Sequence, residues 1–267
     1  EVSDLLKHNY DGYHFCDNSE DIYNPYSLIN ALSDKAVSNY WFDTGTPTFL
    51  LERLTRSGFD ETTLDNLPMV PASDFDASPE LNDNALPMLY QTGYLTIKSY
   101  DPTSDLYTLG YPNREVKLGF TGGLLARYKS SSFVSGGGFV AQFYSAMREK
   151  DIDSAMTLMQ SYLAGIPNDL ENKTEKHYQT IIYLIFSLLG YYIQSEVKSS
   201  IGRADAVCRT QDRIYVFEFK VDSSAEEALR QIDDKGYLIP YQAEFGVERV
   251  KIGVNLSSRA RTIDSWK

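Results

Sequence analysis

The sequence predicts an α/β fold for the C-terminal third of the chain, a mixed sheet flanked by helices, behind a mainly helical region. From about residue 171 onward the pattern is that of a helix, two strands, a helix and a strand. Residues 171–192 are apolar almost all round after Tyr178, which predicts a buried helix. Residues 213–221, RIYVFEFKV, carry the β-branched and aromatic side chains typical of strands.

Capping residues place the second C-terminal helix. The segment SSAEEALRQIDDKGY begins with capping-box chemistry, because Ser223 or Ser224 can pair with Glu226 or Glu227. The segment RVKIGVNLSS further on is rich in β-branched residues and predicts a strand. Together these features predict a strand at 197–210, a helix at 223–237 and a last strand at 249–258.

The front of the chain is predicted to be mainly helical. NPYSLINALSD fits a helix opening near Pro25, and TGTPTFLLERL fits another, capped by Thr46 with Pro47 in its first turn. A helix at 81–94 that ends at Gly93 is followed by three strand-like runs, YLTIKSY, LYTLGY and REVKLGF. A helix followed by a β-hairpin has the layout of a winged helix.

The charge distribution argues against DNA binding by this winged-helix-like unit. No Lys or Arg occurs between Arg56 and Lys98, and that window holds seven acidic residues. A recognition helix needs cations against phosphates, so we expect a protein-contact or scaffolding role here. The whole chain has a net charge of −12, but residues 166–267 hold 14 Lys+Arg against 15 Asp+Glu. The acidity therefore belongs to the front, and it does not exclude nucleic acid as a partner of the C-terminal part.

The middle of the chain is predicted to be a helical hairpin. SGGG at 135–138 is a hinge-like break. FVAQFYSAMREK and DIDSAMTLMQSYLAGIP follow it as two helical segments, closed by Gly165 and Pro167. The methionine and aromatic side chains of these segments are best explained as core.

The small number of cysteines predicts the cellular compartment of the chain. Cys16 and Cys208 are too few for a disulfide framework or a zinc site, so a reducing cytoplasm is predicted. No apolar run is long enough to span a membrane, so no membrane partner is expected. The chain starts at Glu1 without Met or a signal-like segment, which fits either an arbitrary start of numbering or the back part of a longer protein.

Two charged residues, Glu218 and Lys220, interrupt an otherwise apolar strand. Side chains alternate along a strand, so these two share one face. An ion pair of Lys220 with Glu218 or Asp205 is the simplest explanation, because strand ion pairs are common and weak. Three observations favour a site instead. The strand is apolar around the pair, Asp205 arrives from the neighbouring strand, and the preceding buried helix carries Glu175, which can also cap that helix.

The geometry of the predicted hairpin brings the acids together. If the turn between the two strands centres on Thr210 and Gln211, Asp205 lies opposite Val216 and diagonal to Glu218, roughly 7 Å away at the backbone. Like charges so close repel unless something neutralises them. Mg²⁺ does this, since it takes one or two carboxylates and completes its shell with water and phosphate oxygens. A lysine beside it can hold a water nucleophile or stabilise charge on phosphate, which is chemistry that hydrolyses phosphodiesters.

The stretch GRADAVCRTQDRIYVFEFK resembles the D-(x)n-(D/E)-x-K signature of the PD-(D/E)XK nuclease superfamily. Ala204 stands where the superfamily name has proline, at a position that varies within the superfamily. The resemblance implies a restriction-endonuclease-like fold and a site with Mg²⁺ or Mn²⁺ as cofactor. The matching residues are Asp205 as first acid, Glu218 as second acid, Lys220 as the lysine, Gln231 in EEALRQIDDKGY as the polar helix residue, and Glu175 in EKHYQ as the acid on the first core helix. Of these, Asp205, Glu218 and Glu175 are the implied metal ligands.

The front of the chain also carries a resemblance. YDGYHF, IYNPYSLINAL and YWFDTGTPTFLLERL are similar to the tail of bacterial AAA-ATPase-like proteins that carry such a nuclease-type domain at their C-terminus. This implies an upstream ATPase domain as a partner within the same protein. No P-loop, G-x-x-x-x-G-K-[ST], occurs in this chain, so nothing in it predicts ATP use.

These observations predict a division into a helical lid-like region at 1–58, a winged-helix-like unit at 59–128, a helical hairpin linker at 129–168 and a nuclease-like domain at 169–267. The expected function is Mg²⁺-dependent hydrolysis of phosphodiester bonds in DNA, within a larger ATPase-nuclease protein. The alternative is an interaction or regulatory module of an AAA-type ATPase that uses a nuclease-like fold as a binding platform without catalysis. Metal-dependent cleavage separates the two.

Overall fold

The computed structural model of the chain describes residues 2–14, 16, 19–43, 48–57, 63–64, 67–78, 84–128, 136–166, 175–190, 194–197 and 205–267. The chain divides into two compact units, Glu1–Gly123 and Leu124–Lys267. No helix within the described ranges is long and apolar enough to cross a membrane. The finer division into four parts at 1–58, 59–128, 129–168 and 169–267 stays a prediction.

The front of the chain is mainly helical and contains one two-stranded hairpin. Its elements are α1 (Val2–Tyr10), α2 (Pro25–Asp34), α3 (Tyr40–Asp43), α4 (Thr48–Ser57), α5 (Leu86–Gln91), antiparallel β1 (Thr96–Asp101) and β2 (Leu106–Gly110), and α6 (Arg114–Arg127). The predicted helix at Pro25 is confirmed, because Asn24 Oδ1 accepts hydrogen bonds from the backbone N–H groups of Tyr26 and Ser27 at 3.0 and 3.3 Å. Gly93, at φ 80°, supplies the predicted left-handed turn after α5. The predicted cap at Thr46 and Pro47 lies outside the described residues.

The predicted third strand, REVKLGF, is wrong, because these residues form the first half of α6. Asn113 begins the helix by accepting a hydrogen bond from the backbone N–H of Val116 at 3.1 Å. Val116, Phe120 and Leu124 are almost fully buried, and their spacing of four residues is that of one helix face. The short alternation of Glu115 to Leu118 imitated a strand. The winged-helix-like grouping of this region stays a prediction, without that strand.

The second unit begins with the predicted helical hairpin, which is confirmed. Its helices are α7 (Gly136–Arg148) and α8 (Ile152–Ala164). Asp151 caps α8 by accepting a hydrogen bond from the backbone N–H of Ser154 at 3.0 Å. Of the predicted hinge, residues 136–138 form the first turn of α7, and residue 135 lies outside the described residues.

A five-stranded mixed sheet forms the centre of the second unit. Its order along the sheet is β3-β4-β5-β6-β7, with β5 and β6 parallel and every other neighbouring pair antiparallel. The remaining elements of this unit are α9 (Glu175–Leu189), β3 (Gln194–Val197), β4 (Ala206–Arg209), β5 (Arg213–Val221), α10 (Ala225–Asp234), β6 (Glu248–Ser257) and β7 (Thr262–Trp266).

Helices cover both faces of this sheet. On one face Ile214 and Val216 of β5 pack with Ile232 of α10. On the other face Phe217 of β5 contacts Phe186 of α9, with ring centroids 4.9 Å apart. A strand apolar on both faces is expected at such a central position. The α/β class with a mixed sheet flanked by helices is confirmed, and the arrangement is consistent with a restriction-endonuclease-like fold.

Two strands of the sheet were missed in the sequence. The predicted strand at 197–210 contains β4 and only the last residue of β3, and residues 198–204 between them lie outside the described residues. The last strand, β7, was not predicted at all. Both missed strands are short and lie at the two edges of the sheet, where polar side chains are tolerated and the apolar alternation is weak. The sequences QSEV and TIDSW show this polar character.

Candidate active site

The charged pair of β5 lies on the face that α10 covers. Glu218 and Lys220 follow Ile214 and Val216 at spacings of two, and those two apolar residues pack against α10. Glu218 is only 2% exposed, whereas the side chain of Lys220 is 26% exposed. The carboxylate is therefore enclosed between sheet and helix, and the lysine extends from it toward solvent.

The β4–β5 turn differs from the supposed one by one residue. Val207 lies opposite Val216 and Ala206 opposite Phe217, so the turn centres on Gln211 and Asp212. The expected pairing of Asp205 with Val216 is wrong. Because the shift moves the partner strand by two residues, it keeps every side chain on its predicted face. Since Ala206 pairs with Phe217, the preceding residue, Asp205, lies directly opposite Glu218 instead of diagonal to it.

Asp205 is fixed against β5 at the point where β4 begins. Its Oδ2 accepts a hydrogen bond of 2.8 Å from the backbone N–H of Phe219, the residue between Glu218 and Lys220. Asp205 is partly exposed, and its negative charge raises the pKa of Glu218. The structure thus brings the two predicted acids to one place on two neighbouring strands.

Gln231 of α10 links the glutamate to the lysine. Its amide Nε2 donates a hydrogen bond to Glu218 Oε1, and its Oε1 accepts one from Lys220 Nζ. Lys220 Nζ also lies 3.4 Å from Glu218 Oε1, and the Gln231 amide donates at 3.2 Å to the hydroxyl of Tyr237. A glutamine suits this bridge because it offers a donor and an acceptor at once.

The start of α10 holds this bridge in place. Ser224 is the N-cap, since its Oγ accepts a hydrogen bond of 3.1 Å from the backbone N–H of Glu227. The Glu227 carboxylate accepts a hydrogen bond from the Ser223 hydroxyl. The predicted capping at this position is confirmed, with Ser224 as the capping serine.

Burial dominates the electrostatics of the site. Enclosure between sheet and helix raises the pKa of Glu218 to about 7, and the negative charge of Asp205 adds to the rise, while Lys220 opposes it. Burial also raises the pKa of the Tyr237 hydroxyl, against the hydrogen bond from Gln231. Burial and the charge of Asp205 make the ionised form of Glu218 unfavourable, so a cation beside its carboxylate would stabilise that form.

The donor set fits a hard divalent cation in part. Within the described part of the chain, the second carboxylate oxygen of Glu218, Oε2, is buried and accepts no hydrogen bond. Carboxylate oxygens are the ligands that Mg²⁺ and Mn²⁺ prefer. The described side chains contain no group of three or more His, Cys, Asp or Glu that could hold a metal. Glu175, the predicted third ligand, is the first residue of α9, and its side chain lies outside the described residues.

Comparison with known proteins agrees with this geometry. Residues 173–266 match the family model of the PD-(D/E)XK nuclease superfamily, so this part of the chain is a domain of that superfamily. The matched stretch includes Asp205, Glu218, Lys220 and Gln231.

A longer relative covers nearly the whole chain. Over 97% of its length the chain is 32% identical to a protein of Azotobacter chroococcum mcd 1 described as an "uncharacterized protein in vnfD 5'region". The chain spans about half the length, 51%, of that relative. No solved structure matches the chain.

Proposed function

We propose that the chain is a Mg²⁺-dependent nuclease that hydrolyses phosphodiester bonds in DNA at Asp205, Glu218 and Lys220. The observation that carries the proposal is the buried Glu218 Oε2, which has no hydrogen-bond partner in the described part of the chain and lies beside a second acid. An isolated buried carboxylate is costly, and a bound cation removes that cost. The superfamily of residues 173–266 supports the same chemistry.

Asp205 and Glu218 would hold Mg²⁺, with Mn²⁺ as the substitute and Glu175 as a third ligand. When bound, Mg²⁺ supplies positive charge that stabilises the transition state at the scissile phosphate and lowers the pKa of a nearby water. Asp205 is suited to this role because the backbone N–H of Phe219 fixes the orientation of its carboxylate. Glu218 is suited because its Oε1 is already held by Gln231, which leaves Oε2 for the cation.

Lys220 would orient the attacking water and stabilise the negative charge that develops on the phosphate. Its ammonium group has three donors, and among the described residues Gln231 and Glu218 occupy two of them. The third donor is available to water or to a phosphate oxygen. Gln231 keeps the ammonium group on the side of the carboxylates, because it binds Lys220 and Glu218 together.

The setting of the nuclease is part of the same proposal. We place it in the cytoplasm, within a longer protein whose upstream part is an ATPase domain. The support is the resemblance of the front segments and the fact that the chain spans 51% of its relative. The winged-helix-like region would then contact protein, since residues 57–97 contain no Lys or Arg.

Cleavage of plasmid and branched DNA in Mg²⁺ and in EDTA tests the proposal. We expect nicking by the wild-type chain in Mg²⁺ alone, and a loss of about 10²-fold or more in rate for Asp205→Asn. Asp233→Asn is the matched control, because Asp233 is an exposed carboxylate of α10 that pairs with Lys251 on the same sheet face. Absence of wild-type cleavage on both substrates would favour the non-catalytic binding platform. Equal rates for the wild type and Asp205→Asn would also refute the site.

A further inference from the structure

The residues of β6 beside the charged pair are a glycine and an asparagine. In the parallel register Gly253 lies next to Glu218, and Asn255 lies next to Lys220. Neighbouring residues in a parallel register share a face, so both lie beneath α10. Gly253 and Asn255 of β6 therefore lie beside Glu218 and Lys220 of β5 on the same face of the sheet.

Gly253 marks a close approach of α10 to the sheet. A Cβ at this position would lie 2.2 Å from the backbone carbonyl oxygen of Ala225 and 2.9 Å from the backbone nitrogen of Leu229. Both are backbone atoms of α10, so no side-chain rotation can relieve the contact. Gly253 is itself held by two backbone hydrogen bonds with Lys267, at 3.0 and 2.9 Å. A methyl group here would move the helix rather than the strand.

Asn255 fixes the segment that leads from β5 into α10. Its Oδ1 accepts a hydrogen bond of 2.9 Å from the backbone N–H of Ser223, the residue before the N-cap. Its Nδ2 donates at 3.3 Å to Asp264 of β7, and its side chain is 5% exposed within the sheet. The start of α10 is thus tied to β6 at the level of Lys220.

We propose that Gly253 and Asn255 are positioning residues, which set how closely α10 lies on the sheet and thereby bring Gln231 to Glu218 and Lys220. The catalytic consequence rests on the proposed nuclease function, whereas the positioning itself does not. Ordinary contact with the Ala225 carbonyl begins at 3.4 Å, so a Cβ at residue 253 displaces the first turns of α10 by about 1 Å. Gln231 lies six residues after Ala225, so a tilt of the helix reaches it in reduced form and changes the geometry of its hydrogen bonds to Glu218 and Lys220.

The second half of α10 has its own anchor. Ile232 of α10 and Tyr237, three residues after the end of the helix, pack against Ile214 and Val216 in a buried apolar cluster. This cluster keeps the helix on the sheet when its first turns are pushed away. We therefore expect the substitution at Gly253 to tilt α10 rather than to unfold the unit.

The test compares Gly253→Ala and Asn255→Ala with Lys251→Ala in the full chain. Lys251 is a matched control, because it lies on the same face of β6 and binds α10 through Asp233 at its exposed end. Four quantities are measured for each variant: the melting temperature, the side-chain amide resonance of Gln231 by NMR, and kcat and KM for DNA cleavage. The Gln231 resonance is assigned by its loss in Gln231→Ala.

We expect both positioning variants to stay folded and to shift the Gln231 amide resonance toward that of a free side chain. Their kcat should fall, by roughly 10²-fold for Gly253→Ala, with KM near the wild-type value. Lys251→Ala should leave the resonance and kcat unchanged. If Gly253→Ala does not fold, Asn255→Ala decides the matter, since it only removes atoms.

An unchanged Gln231 resonance in the folded positioning variants would overturn the inference, and so would the same shift in Lys251→Ala. Failure of the nuclease proposal gives a different result. A wild-type chain that cleaves no DNA refutes that function, while the amide resonance still shows whether Gly253 and Asn255 position Gln231.

Discussion

Glu218 and Lys220 lie two residues apart, yet their surroundings differ sharply. The glutamate is 2% exposed, and burial raises its pKa to about 7. The lysine keeps a quarter of its side chain accessible and is held at its tip by Gln231. This contrast is the physical reason to assign the acid to cation binding and the lysine to the water and the phosphate.

Replacement of Lys220 by alanine is expected to abolish cleavage and leave the fold intact. Its ammonium group acts mainly in the transition state, so its loss should cost about 10²-fold or more in rate. The melting temperature should change little, because the ion pair with Glu218 is long, at 3.4 Å, and partly solvated. Lys251→Ala, which removes another lysine on this face, should keep wild-type activity. A Lys220→Ala protein that melts far lower, beside an inactive wild type, would instead identify Lys220 as a structural ion-pair partner.

Glu218 should make the stability of the cation-free protein fall as pH rises. The pKa of Glu218 is about 7 in the folded protein, against 4.5 for the ordinary group. Between these two values the folded state binds more protons than the unfolded state, so the free energy of unfolding falls as the pH rises from 4.5 to about 7. Glu218→Gln should remove this slope and be more stable at pH 8, by on the order of 2–3 kcal/mol. Urea unfolding in EDTA at several pH values measures it. Parallel pH profiles of the two proteins would contradict the buried, proton-holding carboxylate.

Mn²⁺ should stabilise the wild-type chain against heat, and Asp205→Ala should remove the effect. A ligand that binds only the folded state raises the melting temperature, and the rise grows with the logarithm of the ligand concentration divided by Kd. The affinity is expected to be weak, because substrate phosphate completes sites of this kind. Thermal shift with Mn²⁺ measures it, with Asp233→Asn as the carboxylate control. An unchanged response in Asp205→Ala would remove Asp205 from the metal site.

At the scale of single elements, the two serines before α10 should contribute unequally. The sequence allowed either to cap the helix, and the structure assigns the backbone cap to Ser224. Ser224→Ala should cost about 1 kcal/mol of unfolding free energy, whereas Ser223→Ala only removes an exposed hydroxyl contact with Glu227. Urea unfolding of both variants compares them. A larger loss for Ser223→Ala would reverse the assignment.

The sequence predicted the long, apolar elements well and the short, polar ones poorly. β5 and β6 were recognised because their side chains are buried, whereas β3 and β7 at the sheet edges gave no usable alternation. The first half of α6 was mistaken for a strand because polar and apolar residues alternate from Glu115 to Leu118, as they do in a strand. Only the four-residue spacing of Val116, Phe120 and Leu124 shows that the segment is a helix.

The candidate site was predictable for a different reason. An error of one residue in the turn shifts the register of β4 against β5 by two residues, which leaves each side chain on its predicted face, so Asp205 and Glu218 still share one face. The part played by Gly253 was missed, although a glycine inside an apolar strand is a signal of close backbone approach. The Asp205 contact with the Phe219 backbone could not be derived, because it depends on a side-chain orientation outside regular pairing.

At the scale of the whole molecule, the α7–α8 hairpin packs directly on the sheet of its unit. The Tyr215 hydroxyl donates a hydrogen bond of 3.1 Å to the Met147 carbonyl in α7. The Gln160 amide of α8 donates at 2.7 Å to the Ile263 carbonyl in β7. The hairpin therefore completes the buried side of the sheet that α9 also covers.

A fragment covering residues 124–267 should fold on its own, whereas one covering residues 169–267 should not. The shorter fragment lacks the hairpin, so Phe186 loses its contact with Phe143 and becomes exposed to water. Thermal melting and NMR dispersion of the two fragments measure this. A cooperative transition in the shorter fragment would show that the sheet and α9 suffice.

The backbone bond from Phe219 to Asp205 has a consequence for how the site forms. Every described residue of the site lies between Asp205 and Tyr237, in one hairpin and the helix after it. Such short chain segments close at low entropic cost and on fast timescales. The constellation can thus come together early in folding, before strand β7 adds to the sheet, and β6 then sets how closely α10 lies over it.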